Sequence, residues 1–358
     1  MTATTPTAPV RWALAGYGAG GRTYHRSLIT SAAGLDLVAV VTRSADRRTQ
    51  LATDAPGVVA VDDLADLVDL GVDGVTVTTP SATHAEVAHR SLDLGLNVVV
   101  DKPFALTADA AAELVRHAAD PATPGLLTVY QNRRWDSDLL TVRRLLADNV
   151  FGRVTTFTSR IDRFRTVKPG WAGGSADEGG GALLDLGPHL VDQAVLLFGP
   201  VDTVYAELRT VRDGAGAEDD LLLSLEHATG VRSRLIAGMA SAAPGPRLQI
   251  NGTAGGFAID GFDNQEAQLK AGGSPASLGD AWGVEPESAW GRLYTADGQE
   301  HPVPSERGRW DTFYPAVAAA VRGDGSVPVD PSDAVHTAQV LDAARVSTVE
   351  RATVTLTG

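Results

Sequence analysis

The sequence predicts an α/β domain with a doubly wound parallel sheet, followed by an α+β domain with a large, mostly antiparallel sheet. Apolar strand-like runs alternate with helical segments up to about residue 130, and strand-like runs follow one another after about residue 150. A chain of 358 residues is long enough for two such domains. We therefore expect a disordered tail at residues 1–8, a first domain at 9–130 and a second domain at 131–358.

The first domain is expected to contain six strands joined by helices. Its apolar runs carry few polar residues, as in a parallel sheet that helices cover on both faces. Ser44 and Thr107 suit helix caps, because their side chains can accept hydrogen bonds from free backbone N–H groups. The predicted strands are 10–15, 35–41, 58–61, 72–78, 97–100 and 126–130. The predicted helices are 18–30, 62–70, 83–94 and those that follow Ser44 and Thr107, the last ending at 119.

The second domain is expected to be a sheet with helices on one face. Ala228-Thr229-Gly230 predicts a hairpin turn between two of its strands. The segment from about 264 to 305 is rich in Gly, Pro, Ser and Trp, so we predict loops there. The predicted strands are 153–161, 202–211, 221–226, 231–239 and 247–250. Helices are predicted at about 182–198 and at 334–349, and the last is a candidate to pack back on the first domain.

Composition and charge exclude several classes of protein. The formal net charge of −14 argues against nucleic acid or an anionic membrane as the main partner, but is compatible with a local site for an anionic cofactor. The absence of cysteine excludes disulfides and a cysteine nucleophile, and fits a cytoplasmic protein. The eight histidines lack paired metal spacing, so we predict no metal site. The sequence also lacks a signal-peptide pattern, a membrane-length apolar run and a G-x-S-x-G elbow.

A glycine-rich turn follows the first predicted strand. The run is Gly16-Tyr17-Gly18-Ala19-Gly20-Gly21. Its first, third and sixth positions match G-x-G-x-x-G, in which glycines let the backbone approach a pyrophosphate without a Cβ clash. The following helix N-terminus offers N–H groups and a partial positive charge to the anion. Between a strand and a helix, the pattern predicts a Rossmann dinucleotide site; the alternative is a turn whose glycines serve packing alone.

The end of the second predicted strand indicates which nicotinamide cofactor binds. NAD-selective sites usually carry Asp or Glu there to bind the ribose hydroxyls. Here the strand ends in Arg43 and Ser44, and a cation with a hydroxyl suits a 2′-phosphate better. We therefore predict NADP(H). Arg47 and Arg48 are further candidates, although all three arginines also fit an exposed surface.

Two segments supply catalytic candidates. Asp101-Lys102-Pro103 follows a predicted parallel strand, and ligands of open α/β sheets bind at the carboxyl ends of strands. Asp185 and His189 are four residues apart, a spacing that places both on one helix face, although Pro188 favours a kink there. A histidine beside a carboxylate is a plausible general base. The alternatives are a surface lysine and a structural Asp–His pair; Asp192 fits either role.

Taken together, these residues resemble the Gfo/Idh/MocA oxidoreductase family. The combination spans both expected domains in the family's order, so the resemblance covers nearly the whole chain. The matching pieces are Gly16–Gly21, Thr79-Pro80-Ser81 with His84, Asp101-Lys102-Pro103, and Gly179–His189 continuing to Asp192. Within the family, Tyr130–Asp136 and Tyr24-His25 resemble the branch of NADP-dependent scyllo-inositol dehydrogenases.

The resemblance implies roles for individual residues. It implies that Lys102, Asp185 and His189 are catalytic. The residues implied to border the cofactor, beside the glycine run, are Thr79, Pro80, His84, Asp101 and also Lys102. The residues implied to line the substrate pocket are Asn132, Arg133, Trp135, Trp171 and Tyr314. Two positions depart from the pattern: Asp101 stands where the family usually has Glu, and Gln131 where the branch often has His.

The implied activity is hydride transfer between NADP(H) and a secondary alcohol of an inositol-like polyol or a sugar. His189 would take the hydroxyl proton, Asp185 would orient its imidazole, and Lys102 would donate a hydrogen bond to the developing alkoxide. Alternatives on the same scaffold are a sugar-ketone or anhydro-sugar reductase, a cofactor-assisted glycosidase and a cofactor-sensing regulator without catalysis. The resemblance also implies a homodimer or homotetramer.

Overall fold

The first domain is built on a six-stranded parallel sheet. The computed structural model describes residues 8–167, 174–175 and 178–356. The strands are β1 Val10–Ala15, β2 Leu35–Val41, β3 Val59–Val61, β4 Gly74–Val77, β5 Asn97–Val100 and β6 Leu127–Val129. They lie in the order β3-β2-β1-β4-β5-β6. The order reverses between β1 and β4, and such a switch point opens a ligand crevice at the carboxyl ends of the strands.

Helices cover both faces of this sheet, so its Val- and Leu-rich strands are buried. A π-helical turn, Gly20–His25, leads into α1 Arg26–Ser31. The remaining helices are α2 Ala45–Asp54, α3 Asp66–Asp69, α4 His84–Asp93 and α5 Ala108–Ala118. Ser44 and Thr107 cap α2 and α5 as predicted, accepting hydrogen bonds from the amides of Arg47 and Ala110. Of these helices, only α3 is much shorter than its predicted span.

The second domain is built on a nine-stranded sheet, in which only β7 and β10 pair in parallel. Its strands are β7 Val154–Asp162, β8 Val201–Arg209, β9 Asp220–His227, β10 Arg232–Gly238, β11 Leu248–Gly252, β12 Gly255–Ile259, β13 Gly291–Thr295, β14 Glu300–Val303 and β15 Val354–Thr355. The predicted fold class, a Rossmann domain followed by a mostly antiparallel sheet domain, is therefore confirmed.

The prediction of loops over 264–305 is wrong in part. β13 and β14 lie in this segment and extend the sheet beyond β12. β14 is the edge strand and β13 pairs beside it. Most of their side chains are partly or fully exposed, so both strands lack the apolar pattern of a buried strand. Two short helices, α9 Gln265–Lys270 and α10 Pro275–Leu278, also lie in this segment.

The helical segment predicted over 182–198 is broken at Leu186 into α7 Ala182–Asp185 and α8 Gly187–Phe198. α8 begins with Gly187-Pro188, so a break beside Pro188 is present as expected, but it falls at Leu186 and Gly187 is already helical. Proline suits the first turn of a helix, because its missing N–H would have no partner there. Gly187 also lies against the last helix: a Cβ atom at this position would stand 2.8 Å from Leu341 Cδ2. α8 therefore packs closely on that helix.

The last helix contacts both domains. The helices not yet named are α6 Ser137–Ala147, α11 Phe313–Val321 and α12 Pro331–Glu350. In α12, the Asp342 carboxylate accepts a hydrogen bond of 2.7 Å from the backbone N–H of Ala108 in the first domain. Ser347 Oγ accepts one of 2.9 Å from the N–H of Ala206 in the second. No helix among the described residues is long and apolar enough to cross a membrane.

Candidate active site

A cavity of about 690 Å³ lies where the carboxyl ends of the first-domain strands meet α7 and α8 of the second domain. It brings together most of the residues that the sequence singled out. Those that line it are Gly16, Tyr17, Gly18, Ala19, Gly20, Thr79, Pro80, His84, Asp101, Lys102, Asn132, Arg133, Asp185 and His189. Two distant segments of the chain therefore contribute to one site.

The three motif glycines differ in what makes them necessary. Gly16 has φ +101°, and a Cβ atom there would stand 2.8 Å from the carbonyl oxygen of Thr78. At Gly21 a Cβ atom would stand 2.6 Å from the carbonyl oxygen of Gly16. Gly18 has no atom within 4 Å of such a Cβ, and it borders the cavity. Packing thus accounts for Gly16 and Gly21, whereas Gly18 leaves open space in which a pyrophosphate can approach the backbone.

At the end of β2, the cavity wall includes Arg47 rather than Arg43 or Ser44. The Arg43 side chain is 77% exposed, and its Nε donates to the carbonyl oxygen of Asp62. Ser44 Oγ caps α2, which places Arg47 in the first turn of that helix. Arg48 pairs with Asp62 at 2.8 Å, so it is held away from the cavity. Arg47 is therefore the cation that this end of the cavity offers.

Lys102 is fixed by Asp185. Its Nζ donates to Asp185 Oδ1 at 2.7 Å and to the carbonyl oxygen of Asp185 at 2.9 Å. Burial alone would raise the pKa of Asp185, but the charge and hydrogen bond of Lys102, together with the charges of Arg163 and Arg133, hold that pKa below its ordinary value. An ammonium has three N–H donors, so Lys102 keeps one for another acceptor in the cavity.

His189 presents a neutral imidazole to the cavity. Burial lowers its pKa well below 6.5, and the positive charges of Lys102, Arg133 and Arg163 lower it further. Its Nδ1 is fully buried with no hydrogen-bond partner among the described residues, so the ring meets the cavity through Nε2. The expectation that Asp185 orients this ring is not met, because the Asp185 carboxylate bonds to Lys102 instead.

His84 joins two loops at the cavity. Its Nδ1 lies 2.7 Å from the carbonyl oxygen of Pro103, next to Lys102, and its Nε2 lies 2.8 Å from that of Thr79. The ring is 2% exposed. His84 therefore ties the loop that carries Lys102 to the loop that borders the glycine turn.

Asp101 reaches the glycine turn although it is shorter than glutamate. A Cβ atom on Gly20 would stand 3.2 Å from Asp101 Oδ2. Burial would raise the pKa of Asp101, but His25 and Lys102 outweigh it and lower the pKa. His25 Nε2 lies 3.3 Å from Asp101 Oδ2, and His25 Nδ1 lies 2.6 Å from the hydroxyl of Tyr314.

Two predicted pocket residues lie behind the cavity wall. Tyr314 is 1% exposed and bonds to His25 and Thr76, so its predicted substrate contact is wrong. Trp135 packs edge-on against Phe313, and among the described tryptophans it is Trp310 that lines the cavity. Both Tyr314 and Trp135 pack with the core of the first domain, Tyr314 fully buried and Trp135 partly. Trp171 lies outside the described residues.

Asp192 has a structural role. Its carboxylate accepts three hydrogen bonds of 2.6–3.1 Å from the Arg134 guanidinium, and both residues are buried. Arg134 also pairs with Asp333 at the start of α12 at 2.9 Å. This ion pair joins α8 to α12 and does not reach the cavity.

Comparison with known proteins identifies the family. Residues 10–123 match the Gfo/Idh/MocA oxidoreductase family with its NAD-binding Rossmann fold, and residues 139–258 match a Gfo/Idh/MocA C-terminal domain. The chain belongs to the Gfo/Idh/MocA oxidoreductase family. The resemblance predicted from the motifs is thereby confirmed at the level of the family, and a nicotinamide cofactor is what its first domain binds.

Two similar proteins and one solved structure align with this chain over almost its full length. It is 34% identical to the uncharacterized oxidoreductase YdgJ of Escherichia coli (strain K12), over 97% of this chain and 99% of that protein. It is 31% identical to the scyllo-inositol 2-dehydrogenase (NADP(+)) IolW of Bacillus subtilis (strain 168), over 97% and 96%. The solved structure of Bacillus subtilis yvaA superimposes with a TM-score of 0.90 at 30% identity, over 99% and 100%.

Several cavity residues of this Gfo/Idh/MocA protein were not predicted from the sequence. They are Arg163, Arg165, Glu266, Lys270 and Trp310. All come from the second domain or its insertions, and none belongs to a short motif. Glu266 and Lys270 pair across one helical turn of α9, a spacing that could have indicated a helix within 264–305.

The buried His189 should make stability depend on pH. Because its pKa is depressed in the folded protein, the folded state resists a proton that the unfolded chain accepts below about pH 6.5. Stability should therefore fall as pH drops below 6.5. We expect the wild type to lose about 1 kcal/mol more unfolding free energy between pH 8 and pH 5.5 than His189→Gln does.

Denaturant unfolding of both proteins at the two pH values measures this difference. His301→Gln, which replaces an exposed histidine on β14, is the control and should lose as much stability as the wild type. Equal losses for the wild type and His189→Gln would mean that His189 is not held neutral.

Proposed function

We propose that this oxidoreductase transfers hydride between NADP(H) and a secondary alcohol of a sugar or polyol. The observation that carries the proposal is the convergence of the glycine turn, the Lys102–Asp185 pair and His189 on one cavity. The substrate class is supported by the relative IolW, whose name states an inositol substrate and NADP(+).

The residues at the cavity fit a dinucleotide. The open space at Gly18 and the start of the helix after Gly20 suit the pyrophosphate, and Arg47 suits a 2′-phosphate. Arg43 is exposed enough to turn toward the same phosphate. Asp101 and Thr79 border the turn on the side of Lys102. When bound, the nicotinamide would accept or donate the hydride.

In the proposed reaction, the protein handles the proton. The neutral imidazole of His189 takes the proton of the substrate hydroxyl at Nε2 during oxidation and returns it during reduction. The free N–H donor of Lys102 bonds to the substrate oxygen as negative charge develops on it. Asp185 holds the Lys102 ammonium in place at the cavity through its hydrogen bond.

A panel of inositols, hexoses and keto sugars, assayed with both cofactors by NAD(P)H absorbance, tests the proposal. Turnover of at least one secondary alcohol or its ketone is expected. Tight NADPH binding without turnover of any panel member would instead indicate a cofactor sensor. Release of an aryl glycoside without net NADPH change would indicate a glycosidase.

Cofactor choice should depend on Arg47. We expect kcat/KM to favour NADP+ over NAD+, and Arg47→Gln should lower kcat/KM for NADP+ about tenfold or more, because a charged hydrogen bond contributes roughly 1.5–3 kcal/mol. NAD+ lacks the phosphate, so its kcat/KM should change little. Arg116→Gln, on the exposed side of α5, is the control. A preference of the wild type for NAD+ would contradict this assignment.

A further inference from the structure

Two arginines at the catalytic end of the cavity are without a partner among the residues that the structure describes. Arg163 and Arg165 follow β7 and line the cavity. Neither guanidinium makes an ion pair or a hydrogen bond with a described side chain or carbonyl group. Arg163 is partly buried and Arg165 is exposed. Burial together with the positive charge of Arg165 lowers the pKa of Arg163. The guanidinium nevertheless stays charged, because an arginine side chain does not deprotonate in proteins.

The other cations in this part of the cavity are neutralised. Lys102 pairs with Asp185 at 2.7 Å. Arg133 pairs with Asp136 at 2.9 Å and with Glu266 at 3.2 Å, and Glu266 also pairs with Lys270. The two unpaired arginines are therefore a surplus of positive charge beside the catalytic residues.

The neighbourhood of Arg163 concentrates this charge. Arg163 lies over the Phe262 ring at 6.0 Å from its centroid, and Arg133 and Arg247 lie over the same ring at 5.7 and 5.4 Å. Arg163 is also close enough to Asp185 and His189 to lower the pKa of each. Three guanidinium groups thus gather near the proton-handling histidine.

The charge balance of the cavity is opposite to that of the chain. The cavity wall carries six Lys and Arg side chains against three Asp and Glu side chains, whereas the whole chain has a formal net charge of −14. One of these six cations is Arg47, which the proposed function assigns to the 2′-phosphate of the cofactor. Holding unpaired cations together in a partly buried site costs free energy, and a bound anion removes that cost.

We propose that the substrate carries an oxyanion, which Arg163 and Arg165 bind while its secondary alcohol faces Lys102 and His189. This inference rests on the proposed function and narrows its substrate class to a sugar or polyol that bears a carboxylate or a phosphate. The planar guanidinium fork matches both groups through paired N–H donors. The anion fixes which hydroxyl of the substrate lies at the catalytic residues.

Matched substrate pairs test this proposal. We compare activity within three pairs of a neutral and an anionic sugar: glucose and glucuronate, galactose and galacturonate, and glucose and glucose 6-phosphate. The first two pairs test a carboxylate and the third tests a phosphate. We expect kcat/KM to be at least about tenfold higher for an anionic member, mainly through KM, because the guanidinium groups form charged hydrogen bonds with the anion. Arg163→Gln should bring the ratio of anionic to neutral kcat/KM toward one. Arg163→Lys should restore part of it, and Arg116→Gln should leave it unchanged.

A binding measurement keeps the inference separate from the proposed reaction. On the wild-type protein saturated with NADP+, glucuronate or glucose 6-phosphate should raise the melting temperature more than glucose does, and Arg163→Gln should abolish the difference. Two outcomes would contradict the anion site without contradicting the proposed hydride transfer. One is turnover of neutral sugars with no preference for the anionic member of a pair. The other is an equal shift in melting temperature with neutral and anionic sugars. Weakened NADPH binding in Arg163→Gln with an unchanged substrate ratio would assign the arginines to the cofactor and also overturn the anion site.

Discussion

Replacing Lys102 by Met should lower kcat by at least about 100-fold while NADPH still binds, and His189→Ala should have an effect of the same order. General acid–base help is typically worth roughly 10²–10⁴-fold. In the proposed reaction, Lys102 would offer its remaining N–H donor to the substrate oxygen, and the neutral His189 would accept the proton at Nε2. We expect both substitutions to slow the chemical step and to leave cofactor binding in place, since neither side chain belongs to the glycine turn that would hold the pyrophosphate. Single-turnover rates and NADPH fluorescence titration measure the two effects.

A double-mutant comparison distinguishes a catalytic lysine from a structural ion pair. If Asp185 acts by holding Lys102, then Lys102→Met with Asp185→Asn should lose no more activity than Lys102→Met alone. His301→Ala is the control for His189→Ala and should retain wild-type turnover. Near-normal turnover of both Lys102→Met and His189→Ala would remove the assigned roles.

Gly18→Ala should weaken NADPH binding about tenfold or more without loss of stability. Its Cβ would meet no protein atom within 4 Å, so the fold can accept it. The same Cβ would occupy the space that a pyrophosphate needs in order to approach the backbone of the turn. A forced shift of a closely packed ligand costs roughly 1–3 kcal/mol, and 1.4 kcal/mol is a factor of ten in Kd.

Gly325→Ala is the matched control for this change. Gly325 also has open space around its missing Cβ, but it does not line the cavity. Gly21→Ala should behave differently from both, because its Cβ would stand 2.6 Å from a backbone oxygen and would destabilise the domain. An unchanged Kd for NADPH in Gly18→Ala, measured by fluorescence, would mean that the pyrophosphate binds elsewhere.

Buried strands of the first domain could be predicted closely from sequence. The predicted bounds of β1, β2 and β5 agree with the structure, because strands covered on both faces are continuous apolar runs. β13 and β14 could not be recognised, since most of their side chains are partly or fully exposed and give no such pattern. β13 pairs with β12 and β14 pairs with β13, so both depend on neighbouring strands that the sequence analysis did not predict.

Residues of the candidate site could be predicted from sequence where they belong to a short motif. The glycine turn, Lys102 and His189 each have a local pattern, and all line the cavity. Arg163 and Trp310 have none, because they reach the cavity only when the second domain folds against the first. Tyr314 was misassigned for the same reason: its place behind His25 is a property of tertiary packing.

The position of α12 has a consequence for biosynthesis. This helix lies near the end of the chain, yet its side chains hold segments from both halves, near residue 108 and near residue 206. During translation, residues up to Glu350 must therefore leave the ribosome before this helix can hold the two walls of the cavity together. A chain truncated before Pro331 lacks these two hydrogen bonds and also lacks Ala334 and Ala338, which pack in the same core as the strands of the first sheet.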